Sequence, residues 1–302
     1  MKSTRSIFHF AAGIITGILI ISQISFKEGD LPAVADNNPA TQWYIPQVPD
    51  SFSFAGENVP LERWEVQERF DRQLLFIYYQ TGNIIYIKKL SHRYFPLIEE
   101  RLKANGVPDD FKYLCVAESN LEHAISRAGA VGFWQFMSYT APGYALNINK
   151  DVDDRYHVAK ATDAACKYLK SAYAKFGSWT AAAASYNCGQ GGYQKQATYQ
   201  GSKNYYNIQL PEETNRYIFR ILSFKCILEN ADKMGFDFND TDLYKPFSTK
   251  SIVVDKSIHN LAQFALDKGT NYKMLKLLNP WLRSTTLEVK PGKSYTIQLP
   301  AN

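Results

Sequence analysis

The chain has 302 residues, enough for one main domain with something small beside it. A hydrophobic content of 45% supports a real core, and 14% aromatic residues is high. Lys and Arg number 34 against 29 acids, a mild +5 with no long basic run, so a nucleic-acid partner is not indicated, whereas an anionic polymer such as a cell wall is compatible with it.

Taken from the N-terminus, Lys2 and Arg5 precede an apolar segment from Ile7 to Phe26. That order of a basic start and a long apolar run predicts export, and residues 1–27 are expected to be a signal peptide or signal anchor. No Ala-x-Ala cleavage site is obvious, and the length approaches a bilayer span, so anchoring in the inner membrane through residues 7–26 is one expectation. With the basic end inside, the remainder would face the periplasm or cell envelope. Residues 28–60 carry Asp, Asn, Pro, Ser and Gly without clear period and are expected to be a linker.

Helical periodicity begins near Leu61. Trp64, Phe70, Leu74, Leu75 and Tyr78 mark one helix, and Tyr94, Leu97, Ile98 and Leu102 another, starting at Ser91 or His92 and ended by Asn105-Gly106. Pro108, Asp109 and Asp110 make a good first turn for a third, since Pro lacks the unneeded N–H and acids suit a positive helix start. Phe111, Leu114 and Cys115 then fall at i, i+3 and i+4 of an apolar stripe, and the i+7 place on that stripe is Glu118. Burial disfavours ionisation, so such a carboxyl should be easy to protonate, as a general acid requires. The bland alternative is a structural glutamate paired with a buried arginine. After it, Ala128-Gly129-Ala130-Val131-Gly132 is small enough to let a ligand approach the backbone, and Phe133 to Met137 offer aromatic faces with the amide of Gln135. Aromatic faces with one carboxyl and one amide suit a sugar better than a metal or phosphate.

Asp151 to Asp154 invite a calcium reading, but the EF-hand positions of Gly and Glu are missing, and Asp153 or Asp154 reads as a helix start. Ala161, Ala164, Ala165, Leu169, Ala172 and Phe176 give the next helix. A further one, Ala-rich, runs from Thr180 to Asn187, and Gly189, Gly191 and Gly192 read as a flexible turn without the P-loop's Lys-Ser/Thr. Another helix runs from Glu212 to Asn230. Cys115, Cys166, Cys188 and Cys226 permit three pairings but are expected to be free and buried. No metal site is suggested, and no cofactor is expected.

Four blocks in order carry a resemblance: Glu118-Ser119; Gly132-Phe133-Trp134-Gln135; Ser185-Tyr186-Asn187; and Leu210-Pro211-Glu212-Glu213-Thr214 with Tyr217. Over roughly residues 65–230 the chain resembles the lytic transglycosylases of the goose-type lysozyme-like fold. The resemblance implies a mainly α protein, with a lysozyme-like helical catalytic domain at 61–240. Residues 245–302 then give strand, helix, helix, strand, with Leu277-Leu278-Asn279-Pro280 and Pro291-Gly292. That order resembles a LysM carbohydrate-binding module whose opening Gly-Asp-Thr is replaced by Asp255-Lys256-Ser257, so this small βααβ domain either binds sugar or only braces the catalytic domain.

By the same resemblance, Glu118 would be the single catalytic acid, then base, cleaving the bond between N-acetylmuramic acid and N-acetylglucosamine in peptidoglycan glycan strands and leaving 1,6-anhydro-N-acetylmuramic acid. Gln135, Met137 and Tyr186 would line sugar subsites, Asn187 would shape its turn, and Ser126 matches a substrate-contacting serine. Glu213 would orient Tyr186 or the catalytic helix. A monomer is expected. The alternatives are a hydrolytic muramidase on the same fold and a non-catalytic peptidoglycan-binding protein.

Overall fold

The computed structural model describes residues 44–301. The apolar segment 7–26 and most of the expected linker lie outside the described residues. Among the described residues no helix is long and apolar enough to cross a membrane.

The chain folds as helices wrapped around one short central helix. After a two-strand hairpin, β1 (Ser53–Phe54) with β2 (Glu57–Asn58), come α1 (Trp64–Tyr78), α2 (Thr81–Ala104) and the central α3 (Phe111–Ser119). Then follow α4 (Val158–Phe176), α5 (Trp179–Cys188), α6 (Gln190–Gln200) and α7 (Glu212–Glu229). The C-terminal part is β3 (Thr249–Val254), α8 (Leu261–Asp267), α9 (Tyr272–Leu278) and β4 (Tyr295–Pro300), with β3 and β4 antiparallel from Thr249↔Pro300 to Val254↔Tyr295.

Central placement follows from composition. Phe111, Tyr113, Leu114, Cys115, Val116 and Ala117 of α3 are all buried, so this helix has no purely polar face. Phe111 is 0% exposed and meets Phe54 and Trp179 edge-on at 5.2 and 5.4 Å. Truncating it to Ala would cost about 3–5 kcal/mol. Asn120 ends α3 in the left-handed conformation (φ 54°), which Asn tolerates better than most residues.

Four expectations need correction. The end of the expected linker is folded: Phe54 is fully buried, and Glu57 accepts hydrogen bonds from Trp179 N (2.6 Å), Thr180 N (2.9 Å) and Ser178 Oγ (2.8 Å). A carboxylate there satisfies orphan amides at the start of α5 and complements its positive end. Two-residue strands have no readable period, which is why the sequence concealed this hairpin. Second, α2 begins at Thr81 rather than at Ser91, whose hydroxyl is turned back onto Lys88 O at 2.8 Å inside the helix. Third, Gly191 and Gly192 lie within α6, and only Gly189 (φ 77°) makes the turn. Fourth, α4 starts at Val158; Asp153 instead caps a 3-10 turn, accepting from Arg155 N at 3.1 Å.

The four cysteines are free; three are buried, and Cys188 is half-buried. The C-terminal βααβ unit has its own core of Leu261, Leu275, Trp281, Leu282, Ile297 and Leu299. Val131, Val152 and Tyr156 of the helical part belong to that same cluster.

Candidate active site

Glu118 sits near the end of α3, one residue before Ser119, and its side chain is partly exposed while its helical neighbours are buried. Three further pieces of chain converge on it. α7 brings Tyr217, whose hydroxyl donates to Glu118 Oε1. α5 brings Tyr186, and the loop 120–137 brings Trp134; the Tyr186 hydroxyl donates to Trp134 O at 2.8 Å. Ser119 Oγ donates to Phe133 O at 2.9 Å, so the loop is tied both to α3 and to α5.

The electrostatics favour a neutral carboxyl. Burial pushes Glu118 up to about 7. The Tyr217 hydrogen bond and the Arg220 charge pull the other way, and the Glu213 charge adds a smaller push upward. Burial wins because the two opposing groups are a neutral phenol and a more distant cation. An acid poised near neutral pH can both give and take a proton at little cost. Tyr186 and Tyr217 are pushed well above the usual phenol range, first by burial and next by the Glu118 charge, so they serve as hydrogen-bonding phenols rather than as bases.

The other expected site residues divide into two groups. Tyr186 is packed against Glu118's surroundings, and its ring meets Trp134 and Phe136 edge-on at 6.5 and 6.2 Å. Asn187 donates Nδ2 to Glu213 Oε1 at 3.2 Å and accepts from Thr214 Oγ1 at 2.7 Å, joining the end of α5 to the start of α7. Glu213 therefore bonds Asn187, where the expectation had it orienting Tyr186 or α3. Gln135 and Ser126 build the loop: Gln135 Nε2 donates to Gly132 O (2.7 Å) and Ala124 O (3.2 Å), and Ser126 Oγ accepts from Ala130 N (3.0 Å). Gln135 holds φ 48°, sparsely populated for a residue with a Cβ, as expected of a position fixed by its surroundings. Met137 is half-buried beyond it.

Gly132 also reads differently in three dimensions. A Cβ there would stand 2.1 Å from Arg155 O, so the close approach its smallness permits is made by the protein's own backbone. Sequence reasoning missed Arg155, Arg220 and the role of Tyr217. For Tyr217 a signal existed: it lies four residues after Glu213 and so on the same face of α7. A cavity of about 380 Å³ lies where the helical part meets the C-terminal unit, lined by Tyr94, His123, Tyr156 and Trp281 among others; Glu118 does not line it.

Glu118 is thus a half-buried carboxyl of raised pKa at a helix end, framed by tyrosines and a tightly knit loop. Residues 95–209 match the family described as Transglycosylase SLT domain, and residues 250–302 match the Soluble lytic transglycosylase C-terminal LysM-like domain. The chain thus carries a transglycosylase SLT domain followed by a LysM-like domain. It is homologous to membrane-bound lytic murein transglycosylase D of Escherichia coli K12, with 26% identity over 200 residues that cover 64% of this chain and 44% of that protein. The corresponding protein of Escherichia coli O6:H1 matches to the same extent. The chain spans less than half the length of these relatives.

Proposed function

We propose that the protein is a peptidoglycan lytic transglycosylase in which Glu118 is the single catalytic carboxyl. The observation that carries this is Glu118 itself: it is pushed up to about 7 by burial and contacted by the Tyr217 hydroxyl. Protonated Glu118 gives its proton to the glycosidic oxygen, the bond from C1 of N-acetylmuramic acid breaks, and N-acetylglucosamine leaves with a free 4-hydroxyl. The muramic acid's own 6-hydroxyl then attacks C1, and its proton returns to the Glu118 carboxylate. No water is consumed, and the enzyme ends as it began. The sugar's N-acetyl oxygen stabilises the positive charge at C1 between the two events. A tethered nucleophile needs no second carboxylate, because its effective concentration exceeds that of a bound water.

Gln135, Met137 and Tyr186 line the sugar subsites in this proposal, with Ser126 contacting substrate, Asn187 shaping its turn and Glu213 holding Asn187. In this reading the protein is exported to the cell envelope, with residues 1–27 a signal peptide or a signal anchor, and works as a monomer on glycan strands.

The test is product chemistry. Digestion of purified peptidoglycan should release fragments ending in 1,6-anhydro-N-acetylmuramic acid, lighter than reducing sugars by one water and inert to borohydride. Fragments that gain hydrogen on borohydride treatment would show hydrolysis, with Glu213 as the first candidate for the water-activating base.

A further inference from the structure

The loop that carries Gln135 does not rest on the helical domain alone. Two hydrogen-bonded bridges fold it on itself: Ile125 pairs with Val131, with Gly132 N donating to Ala124 O at 2.9 Å, and Val131 pairs with Phe136. Behind it lies Arg155, 8% exposed. Its Nη1 donates to Phe136 O at 3.2 Å and to Gly129 O at 3.4 Å, which grips the loop at both ends of the turn. The other edge of the guanidinium faces Asp153, 7% exposed, with Nη2 to Oδ2 at 2.7 Å and Nε to Oδ1 at 3.0 Å. Arg155's own carbonyl fills the space left by Gly132. One residue thus spans from a buried acid to two loop carbonyls, which a planar fork of five donors can do and an ammonium cannot.

Asp153 in turn belongs to a strap that is bolted to the LysM-like domain. Asp153 N donates to Trp281 O at 2.9 Å, and Val152 bridges Leu282. Asp151 O accepts from Arg283 N at 2.7 Å, while its carboxylate accepts from Glu288 N at 2.9 Å and Thr286 Oγ1 at 3.2 Å. The Arg283 guanidinium lies over the Tyr156 ring at 4.1 Å. Val131, inside the loop, is part of the LysM-like domain's core cluster. Residues 151–156, which run between that domain and the loop, are buried throughout.

We propose that Arg155 is a positioning residue for the active-site loop, and that the LysM-like domain acts on catalysis by fixing the strap that fixes Arg155. The domain is a structural part of the catalytic cleft, whatever sugar it holds elsewhere. The catalytic side of this proposal rests on the assignment of Glu118, whereas the mechanical side does not.

The experiment uses the full chain and reads two things, amide hydrogen exchange by peptide mass spectrometry and steady-state cleavage of glycan strands. In Arg155→Met, peptides covering 124–137 should exchange at least tenfold faster than in the parent while α7 peptides keep their rate. KM should rise more than kcat falls, since the loop offers sugar contacts while Glu118 is held by α3 and α7. Arg155→Lys, which leaves a charge beside Asp153 but lacks the fork, should unfold near the parent's midpoint yet show the same fast loop. Asp151→Ala, which cuts two side-chain bonds to the LysM-like domain and touches nothing in the loop, should speed loop exchange severalfold. Loop and α7 exchanging faster in step in both Arg155 variants would mean general destabilisation and would overturn the positioning role. A loop at the parent's rate in Asp151→Ala would overturn the domain's part in it. A parent protein that opens no glycosidic bond sinks the assignment of Glu118, and the exchange rates still decide the mechanical coupling.

Discussion

Glu118 and the strap from Asp151 to Asp154 both draw carboxylates out of water, and they do so with opposite partners. Asp154 is 0% exposed and takes hydrogen bonds from Asn147 N (3.0 Å), Asn147 Nδ2 (2.8 Å) and Lys160 Nζ (2.8 Å). Asp153 has the Arg155 fork, and Asp151 has two donors from the LysM-like domain. Each of these charges is met by cations or oriented N–H groups, so it serves as a strut. Glu118 is contacted by one phenol, with Arg220 acting from farther away, and burial carries its pKa to about 7. The same chemical group is a fastener where its lone pairs are filled and, in the proposed reaction, a proton carrier where they are not.

Breaking the carrier should have the largest effect. Glu118→Gln keeps the shape but has no proton to give, so cleavage of glycan strands should fall about a hundredfold to ten-thousandfold with the fold intact. Turnover within tenfold of the parent would remove Glu118 from the chemistry. Breaking a fastener should instead strike stability: Asp153→Ala leaves the buried Arg155 charge unpaired and should cost about 3–5 kcal/mol in denaturant unfolding. A loss under about 1 kcal/mol would show that water reaches Arg155 freely.

The comparison sharpens with pH. Because the folded-state pKa of Glu118 is raised above that of a free glutamate, the folded protein holds this proton more tightly than the unfolded chain does. Its ionisation therefore subtracts stability as pH rises from about 4.5 to about 7. At pH 8, Glu118→Gln should be more stable than the parent by about 1–3 kcal/mol, and the difference should shrink below pH 5. Equal stability at both pH values would mean the carboxylate is well solvated. The smallest effect is expected from Tyr217→Phe. The phenol favours the ionised carboxyl, so its loss should move the alkaline limb of the rate profile to higher pH by up to about one unit. An unmoved limb would show that the hydroxyl does not share the Glu118 charge during turnover.

What the sequence disclosed follows the same division. The stripe Phe111, Leu114, Cys115, Glu118 exposed the carrier because a carboxyl in an apolar period is a local contradiction. The C-terminal βααβ order was legible in the sequence, and Asn260 and Asn271 cap its two helices through their side chains. The struts were not legible, since Glu57 caps a helix more than a hundred residues away and Arg155 finds its carbonyls in a loop that precedes it by about twenty. Asp151 to Asp154 invite a calcium reading and then a helix start, whereas in the structure Asp151, Asp153 and Asp154 are buried. Long-range satisfaction of polar groups leaves no period to read. Local misfits do.

The most direct measurement is the titration of the Glu118 carboxyl in the folded protein, followed by carbon NMR with Glu118→Gln identifying the signal. A midpoint near 7, matched by the alkaline limb of the rate profile, is the expected result. A midpoint in the ordinary range of a free glutamate would contradict it: Glu118 would then be one more solvated acid, and the difference between carrier and strut would vanish.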